Sequence, residues 1–294
     1  MSGTNTKEEV LNEVKEKNIK FIRLQFVDIN GTIKSIKIPS KELENAFDGI
    51  MFDGSSIEGF VRVYESDMFL KPDASTFAIF PWDNNVGRII CDVYKQDGVT
   101  PFAGDPRYVL KKNLEKLKEF GDVEFLVGPE LEYYFYKEEN DYLINQDDES
   151  YFDFTPNNLA QKVRKDIAET MMEMNIEFES AHHEVGASQH EVDFRFSNAL
   201  ETADSILTTK AITKYMARKN GLIGTFMPKP FSDEPGNGMH LHINISGDKN
   251  LFSGNQKLDL SKKGLYFVGG LLKHSDAITA VTNPTVNSYK RMVP

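Results

Sequence analysis

The most informative stretch of this sequence runs Phe125-Leu126-Val127-Gly128-Pro129-Glu130-Leu131-Glu132-Tyr133-Tyr134-Phe135-Tyr136. Its apolar and aromatic flanks predict a largely buried strand. Because residues two apart share a face of a strand, Glu130 and Glu132 lie side by side. Neighbouring carboxylates repel each other unless a cation or a proton lies between them, and a buried carboxylate without a partner is costly. The stretch therefore favours a cation-binding site over the alternative, a solvated strand face.

A second acidic group lies in the segment His182-His183-Glu184-Val185 and in the later segment His190-Glu191-Val192-Asp193-Phe194-Arg195-Phe196. The turn residues Gly186-Ala187-Ser188 between them predict a hairpin, which would bring Glu184 and Glu191 to one place. The adjacent histidines suggest zinc, but their spacing differs from the His-Glu-x-x-His pattern of zinc-binding helices. A solvated hairpin is the alternative, although alternating apolar residues in its second strand indicate that one face is covered.

A third segment alternates strictly between apolar and polar residues from Met239 onward. It reads Gly236-Asn237-Gly238-Met239-His240-Leu241-His242-Ile243-Asn244-Ile245-Ser246. Its apolar residues face one way, and His240, His242 and the two later polar residues face the other way. A strand with one histidine-bearing face fits the wall of a site, and the preceding glycines permit close approach of the backbone to a ligand. Structural histidines are the alternative.

The candidate ligands in these segments are four glutamates and one histidine, and they are mostly oxygen donors. Such a set favours Mg²⁺ or Mn²⁺ over structural zinc. Two metals in a carboxylate-rich cage suit phosphoryl transfer, because they neutralise charge on the transferred group. The sequence has no Gly-x-x-x-x-Gly-Lys-Ser/Thr loop, which argues against a P-loop ATPase, and Gly236-x-Gly238 lacks the third glycine of a dinucleotide-binding fingerprint.

Composition narrows the possible partners and location. The chain has 294 residues, of which 40% are hydrophobic, and its net charge is −11. An acidic surface repels phosphate backbones, so nucleic acid is not an expected partner. The single cysteine, Cys91, fits a reducing compartment. The polar N-terminus lacks the apolar core of a signal peptide, and no apolar run reaches the length of about 18 residues that a membrane span needs, so we expect a cytoplasmic protein.

The order of predicted elements indicates an α+β protein, with a small β-rich domain followed by a larger α+β domain. The strand-like run from Phe21 to Asp28 meets Asn30-Gly31, a strong hairpin signal. The segment from Gly98 to Pro106 is typical of a linker, and Asp105-Pro106 supplies the cap and first residue of a helix. We therefore expect domains over 1–104 and 105–294. Later helices are predicted over 157–175, 203–220 and 262–280.

Three groups of motifs occur in order along the chain. They are Phe52-Asp53-Gly54-Ser55-Ser56 followed by Glu65-Ser66-Asp67, then Lys229-Pro230 through Gly236-x-Gly238-Met239-His240, and finally Asn283-Pro284 followed by Asn287-Ser288-Tyr289-Lys290-Arg291. From about Phe21 to Pro294, the chain resembles glutamine synthetase of the bacterial and archaeal type I. The resemblance implies a β-grasp N-terminal domain and a catalytic domain whose curved antiparallel sheet forms a half-barrel, with its C-terminal part missing. It also implies a dodecamer of two stacked hexamers, with each active site shared between neighbouring subunits.

The resemblance further implies ligation of ammonia to glutamate with ATP, through a γ-glutamyl phosphate, at a site with two Mg²⁺ or Mn²⁺ ions. In that scheme Glu132, Glu184 and Glu191 hold one metal, and Glu130 and His240 hold the other. Asp53 enters from the neighbouring subunit and accepts a proton from ammonium, and Arg291 contacts substrate or phosphate. The other implied residues are Tyr151 in the ammonium pocket, Gly236 at the glutamate site, and Glu179 and Phe196 near the nucleotide.

The sequence departs from the family pattern in three places. Pro235 stands where asparagine is common, Asn244 stands where the signature has serine, and the chain ends where members continue into a loop with a catalytic glutamate, a further metal ligand and more arginines. Two alternatives therefore stay open: a truncated or degenerate relative that binds metal or nucleotide without turnover, and a γ-glutamyl ligase for another amine. The complete ligand set favours an active ancestor, and Asp53 together with Tyr151 favours ammonium. Arg62, just after the Asp53 motif, is a candidate for sensing the product near the shared active site, and a plain surface arginine is the alternative that the sequence alone favours.

Overall fold

The computed structural model describes residues 5–61, 66–247 and 249–292. Arg62 and Glu65, named above, lie outside the described residues. The chain divides into two compact units: an N-terminal unit of Met1–Lys116 with Glu173–Asn175, and a C-terminal unit of Leu117–Met172 with Ile176–Pro294. Over the described ranges, no helix combines the length and the apolar character needed to cross a bilayer.

A six-stranded sheet forms the framework of the N-terminal unit, as far as that unit is described. The strands follow the order β2-β1-β6-β4-β3, with β5 beside β6. The hairpin predicted at Asn30-Gly31 is confirmed, because β1 and β2 pair antiparallel across it and Gly31 adopts a φ of 73°. Ile22 and Leu24 of β1 are fully buried and share one core with the first two helices. The elements are α1 (Lys7–Glu16), β1 (Phe21–Val27), β2 (Ile33–Pro39), α2 (Leu43–Ala46), β3 (Ile50–Asp53), β4 (Asp67–Pro72), β5 (Ala78–Phe80) and β6 (Asp83–Tyr94).

The helix α3 (Pro106–Leu117) begins where the sequence predicts. The Asp105 carboxylate accepts hydrogen bonds from the Arg107 amide at 3.0 Å and from the Val93 amide at 3.1 Å, so one side chain both caps the helix and joins it to β6. The buried Arg107 guanidinium then donates to Asp73 at 2.7 Å and also bonds Asp92. These charged contacts fix the start of α3 on the sheet of the same unit.

The 16-residue strand β7 (Glu124–Glu139) organises the C-terminal unit. Among the described residues, five strands pair with it, all antiparallel, and β9 extends the sheet beyond β10. The side chains from Tyr133 to Tyr136 are fully buried, which confirms the predicted buried strand. The hairpin predicted around Gly186-Ala187-Ser188 is confirmed as β9 and β10. The strands are β8 (Tyr142–Asn145), β9 (Phe178–His183), β10 (Gln189–Phe194), β11 (Ser197–Asn198), β12 (Ile223–Thr225) and β13 (Met239–Ser246).

Three predicted helix bounds were wrong. The helix predicted from residue 157 begins two residues later, because Asn157 has a φ of 66° and Asn158 caps the helix by accepting from the Ala160 amide at 2.7 Å. The helix predicted from residue 203 begins earlier, after the cap residue Asn198. The helix predicted over 262–280 is interrupted at His274, where φ is −108° and ψ is 13°. The observed helices are α4 (Leu159–Glu173), α5 (Ala199–Lys219), α6 (Lys262–Lys273), α7 (Ser275–Thr282) and α8 (Val286–Arg291).

Candidate active site

Strand pairing gathers the predicted acidic residues on one face of the C-terminal sheet. In the register between β7 and β10, Glu132 lies opposite Glu191 and Glu130 lies opposite Asp193. On the other edge of β7, His240 of β13 also lies opposite Glu130. Three strands that are remote in sequence therefore present their polar side chains to the same space, as side-chain alternation requires.

Glu130 is held by two histidines of β13. The His240 Nδ1 atom lies 3.0 Å from one carboxylate oxygen, and the His242 Nε2 atom lies 2.6 Å from the other oxygen. The hydrogen bond from His242 is the main cause that lowers the pKa of Glu130, with a smaller contribution from His240. Glu130 is therefore ionised and oriented toward β13.

Glu132 is fixed by groups from two other segments. Its Oε2 atom accepts from the Gly238 amide at 2.9 Å and from the Gln189 side-chain amide at 3.1 Å. Burial raises the pKa of Glu132, and the negative charge of Glu184 adds to the rise. A Cβ atom on Gly238 would lie 2.8 Å from Glu132 Oε1 and 3.3 Å from His240 Nε2, so glycine is needed where the backbone passes these side chains.

Glu191 lies at the centre of the acidic cluster. Its carboxylate is 3.1 Å from His182 Nε2, and His182 Nδ1 is 3.6 Å from Glu184. Burial first, and then the negative charge of Asp193, raise the pKa of Glu191 to about 7. Ionisation of Glu191 is therefore unfavourable here, first because the group is buried and second because other carboxylates lie near it.

Within this acidic cluster, as far as the structure describes it, two sets of side chains have the geometry to hold a divalent ion. Glu130, Glu191 and His240 bring ligand atoms within 4.8 Å of one another, and so do His182, Glu184 and Glu191. Their oxygen-rich donors fit Mg²⁺ or Mn²⁺, and the raised pKa of Glu191 shows that a cation would relieve repulsion there. This grouping differs from the one that the family resemblance implies, in which Glu132, Glu184 and Glu191 hold one metal. In the structure, Glu191 belongs to both sets and Glu132 belongs to neither.

Two histidines in this cluster had no assigned ligand role at the level of sequence. His182 stands between two carboxylates, and His242 bonds Glu130. The sequence does mark both residues: His182 is one of two adjacent histidines, and His242 belongs to the polar face of the alternating strand. Which residue each would contact depends on pairing between distant strands, and the local pattern does not encode that pairing.

Arg291 and Gly236 lie together in the C-terminal unit. A Cβ atom on Gly236 would collide with the aliphatic part of the Arg291 side chain and would lie 2.7 Å from the Pro228 carbonyl. The positive charge of Arg291 lowers the pKa of Glu132 slightly, against the larger effect of burial. The arginine therefore stands beside the acidic cluster.

Tyr151 stands at the edge of the cluster, with its ring 5.6 Å from the His182 ring. Slight desolvation and then the charge of Glu184 raise the pKa of the Tyr151 phenol. Phe196, which is 65% exposed, lies against Gly128 of β7. Glu179 is exposed on β9, and its charge is among the causes that raise the pKa of Asp193.

Asp53 belongs to the N-terminal unit and ends β3. One of its carboxylate oxygens accepts from the Ser55 hydroxyl at 2.6 Å and from the Ser55 amide at 2.8 Å. The hydroxyl contact is the main cause that lowers the pKa of Asp53. Two of the three departures from the family pattern are single residues. The Pro235 carbonyl accepts from the Tyr134 hydroxyl at 2.7 Å, and Asn244 Oδ1 is buried without a hydrogen bond among the described residues.

Comparison with known protein families decides the identity of the fold. Residues 18–96 match the β-grasp domain of glutamine synthetase, and residues 103–294 match its catalytic domain. The chain belongs to the glutamine synthetase family. The expected fold class is therefore confirmed: a β-grasp domain followed by a catalytic domain with a half-barrel sheet.

Individual relatives agree with this assignment. The chain is 50% identical to glutamine synthetase of Thermotoga maritima and 45% identical to that of Thermus thermophilus, in each case over 98% of this chain and 67% of the relative. A solved GmaS/ADP complex superposes with a TM-score of 0.88 at 30% identity over 96% of this chain and 66% of that chain. Plasmodium falciparum glutamine synthetase gives 0.88 at 29% identity over 98% of this chain and 63% of that chain. This glutamine synthetase chain thus spans about two thirds of the length of its relatives.

Glutamine synthetases use ATP with Mg²⁺ or Mn²⁺, and they are oligomeric enzymes. The oxygen-rich clusters of the C-terminal unit fit those metals.

Proposed function

We propose that this glutamine synthetase chain supplies the metal and substrate sites for ATP-dependent ligation of ammonia to glutamate, giving glutamine, ADP and phosphate through a γ-glutamyl phosphate. The observation that supports this most strongly is the convergence of Glu130, Glu132, Glu184, Glu191 and His240 on one sheet face. A cage of carboxylates suits two divalent ions, which supply positive charge to a phosphoryl group during transfer.

Each proposed role follows from the position of the residue. Glu130, Glu191 and His240 would hold one metal, and His182 with Glu184 and Glu191 would hold the other, while Glu132 is oriented for a ligand role by Gly238 and Gln189. Arg291, against Gly236, would bind an anionic group of the substrate and stabilise charge that develops on phosphate. The carbonyl and amide groups around Gly236 would position glutamate.

The amine and nucleotide roles belong to the same proposal. The negative field at Tyr151 suits an ammonium pocket, because the neighbouring carboxylates favour a cation there. Asp53, kept ionised by Ser55, would accept the ammonium proton from a neighbouring subunit. Glu179 and Phe196 would contact the nucleotide, and the ADP complex of the similar GmaS structure supports nucleotide binding by this fold.

We also propose the finer features that the family resemblance suggests. These are a dodecamer of two stacked hexamers, a cytoplasmic location, and a domain boundary between residues 104 and 105. No nucleic-acid partner is proposed, because the chain carries a net charge of −11.

The direct test is phosphate release that depends on glutamate, ammonium and ATP. We expect robust turnover from residues 1–294 fused to the C-terminal third of the Thermotoga maritima enzyme, because this chain matches 67% of that relative. Glu132→Ala should abolish turnover of the fusion, whereas Glu138→Ala, at the exposed end of the same strand, should not. Full activity of the Glu132→Ala fusion would show that the metal assignment is wrong.

The same assay separates the alternative amine substrates. Ammonium and methylamine are compared at equal concentrations of the free base. Preference for ammonium supports the proposed pocket at Tyr151. Preference for methylamine would support a γ-glutamyl ligase for another amine.

A further inference from the structure

A buried polar trio lies among the core residues of the C-terminal unit, and two of its members belong to the ligand-bearing β9–β10 hairpin. Asp147, His183 and His190 bring ligand-type atoms within 4.8 Å of one another. His183 is 1% exposed and His190 is 0% exposed. Buried titratable groups of this kind need a physical reason, because burying them without partners is costly.

The trio is not arranged as a third metal site. Arg164 Nη1 lies 2.7 Å from His190 Nδ1, and a guanidinium can only donate. His190 Nδ1 is therefore an acceptor, and the proton of the neutral ring is on Nε2. A protonated Nε2 offers no lone pair to a metal, so His190 is unable to act as the third ligand.

His183 is arranged to donate two hydrogen bonds. Its Nδ1 atom lies 2.7 Å from the Glu184 carbonyl oxygen, and its Nε2 atom lies 3.0 Å from Asp147 Oδ1. Both partners are acceptors, so both ring nitrogens carry protons and the imidazolium is paired with the Asp147 carboxylate. Burial raises the pKa of Asp147, but the hydrogen bond from His183 and further contacts outweigh it and lower that pKa to about 2.

Asp147 also joins its own loop to the turn of the β9–β10 hairpin. Its Oδ1 atom accepts from the Ser188 amide at 2.9 Å, and its backbone amide donates to the Ser188 hydroxyl at 2.9 Å. At the other end of the loop, the Phe152 amide donates to the His183 carbonyl at 3.1 Å. The segment 147–152, which carries Tyr151, is therefore attached to His183 at both ends.

We propose that His183 and Asp147 form a positioning pair, in which the two ring nitrogens of one buried histidine fix the backbone of the candidate metal ligand Glu184 and the loop that carries Tyr151. The inference rests on the proposed function for the roles of Glu184 and Tyr151. The two tasks belong to different nitrogens of His183: Nδ1 holds Glu184, and Nε2 holds Asp147. Partners behind metal ligands commonly change metal affinity by about 10–100-fold when they are removed.

Two substitutions separate the two tasks. His183→Asn places an amide near the position of Nδ1 and can still donate to the Glu184 carbonyl, but it is too short to reach Asp147. His183→Gln places its amide near the position of Nε2 and can still donate to Asp147. Thr170→Val in α4 is the control, because it removes a buried hydrogen bond to the Asp166 carbonyl without touching the hairpin or the loop.

The first measurement is Mn²⁺ affinity, from the electron paramagnetic resonance signal of free Mn²⁺ titrated with the 294-residue chain. The second is the hydrogen-exchange protection of the Phe152 amide. We expect His183→Gln to weaken Mn²⁺ binding about tenfold and to keep the protection. We expect His183→Asn to leave Mn²⁺ affinity within about twofold and to reduce the protection about tenfold, as loss of a charged hydrogen bond implies. Thr170→Val should change neither.

The reverse pattern, or equal losses of both quantities in the two His183 variants, would overturn the proposal. The same holds if Thr170→Val reproduces their effects, since a general loss of stability would then explain them. If the unsubstituted chain binds no Mn²⁺, the proposed function fails, but the exchange measurements still decide whether His183 Nε2 anchors the loop. Where a His183 variant does not fold, Asp147→Asn tests the loop contact in its place, with the same expected loss of Phe152 protection.

Discussion

Removing the charge of Glu191 should stabilise the metal-free protein against unfolding. It should also abolish most of the further stabilisation that bound metal provides. Burial and the neighbouring carboxylates raise the pKa of Glu191 from its ordinary value of 4.5 to about 7. Since one pKa unit corresponds to about 1.4 kcal/mol, keeping this group ionised costs the folded state about 3 kcal/mol. Glu191→Gln preserves the shape of the side chain and an oxygen that can accept from His182, but it removes the charge.

The sign of the pH dependence follows from linkage. The folded protein holds the Glu191 proton more tightly than the unfolded chain does, so the stability that this proton contributes is full below pH 4.5 and is lost as the pH rises through about 7. The free energy of unfolding of Glu191→Gln should therefore exceed that of the parent chain by about 3 kcal/mol at pH 8 and by less than about 1 kcal/mol at pH 5.

Thermal unfolding in excess EDTA measures this difference. For a unit of this size, about 3 kcal/mol corresponds to a rise in Tm of roughly 6–12 °C at pH 8. Addition of Mn²⁺ at about 100 times its Kd should stabilise the parent chain by about 2.7 kcal/mol. It should stabilise Glu191→Gln much less, because Glu191 belongs to both candidate ligand sets.

Glu138→Gln, at the exposed end of β7, is the matched control and should show neither effect. The reasoning is refuted if Glu191→Gln melts at or below the parent temperature in EDTA at pH 8. A rise in Tm that is equally large at pH 5 would also contradict the reasoning, because the charge of Glu191 would then not be the cause of the stabilisation.

Three further substitutions test other parts of the structure. Gly238→Ala should weaken Mn²⁺ binding about tenfold by calorimetry, because the new Cβ would lie 2.8 Å from Glu132 Oε1; unchanged affinity would show that this contact relaxes freely. Arg107→Met should lower the free energy of unfolding by about 2 kcal/mol in urea, because Asp73 and Asp92 lose the buried guanidinium, although Lys111 remains beside them as a cation. Thr6→Ala should cost about 1 kcal/mol through loss of the capping box of α1, and a change below experimental error would argue against that cap.

Local patterns in the sequence predicted the elements that carry the site. Alternation in the segment from Met239 to Ser246 predicted β13, and the acidic pair Glu130 and Glu132 within an aromatic run predicted β7. These predictions succeed because the two-residue period of a strand and the cost of buried charge act over a few neighbouring residues. Helix ends were less predictable: the helix predicted from residue 157 begins only after Asn158, whose side chain caps α4.

The sequence by itself determined the chemistry available to this protein: oxygen-rich ligands, an alternating histidine strand and motifs of the glutamine synthetase family. Only the tertiary structure decided which of these groups meet. The register that sets Glu191 opposite Glu132 and His240 opposite Glu130 joins strands far apart in the chain. The bond from His183 to Asp147 likewise spans 36 positions. Contacts of this kind depend on the packing of the whole sheet, because a register shift of one residue would turn every one of these side chains to the opposite face.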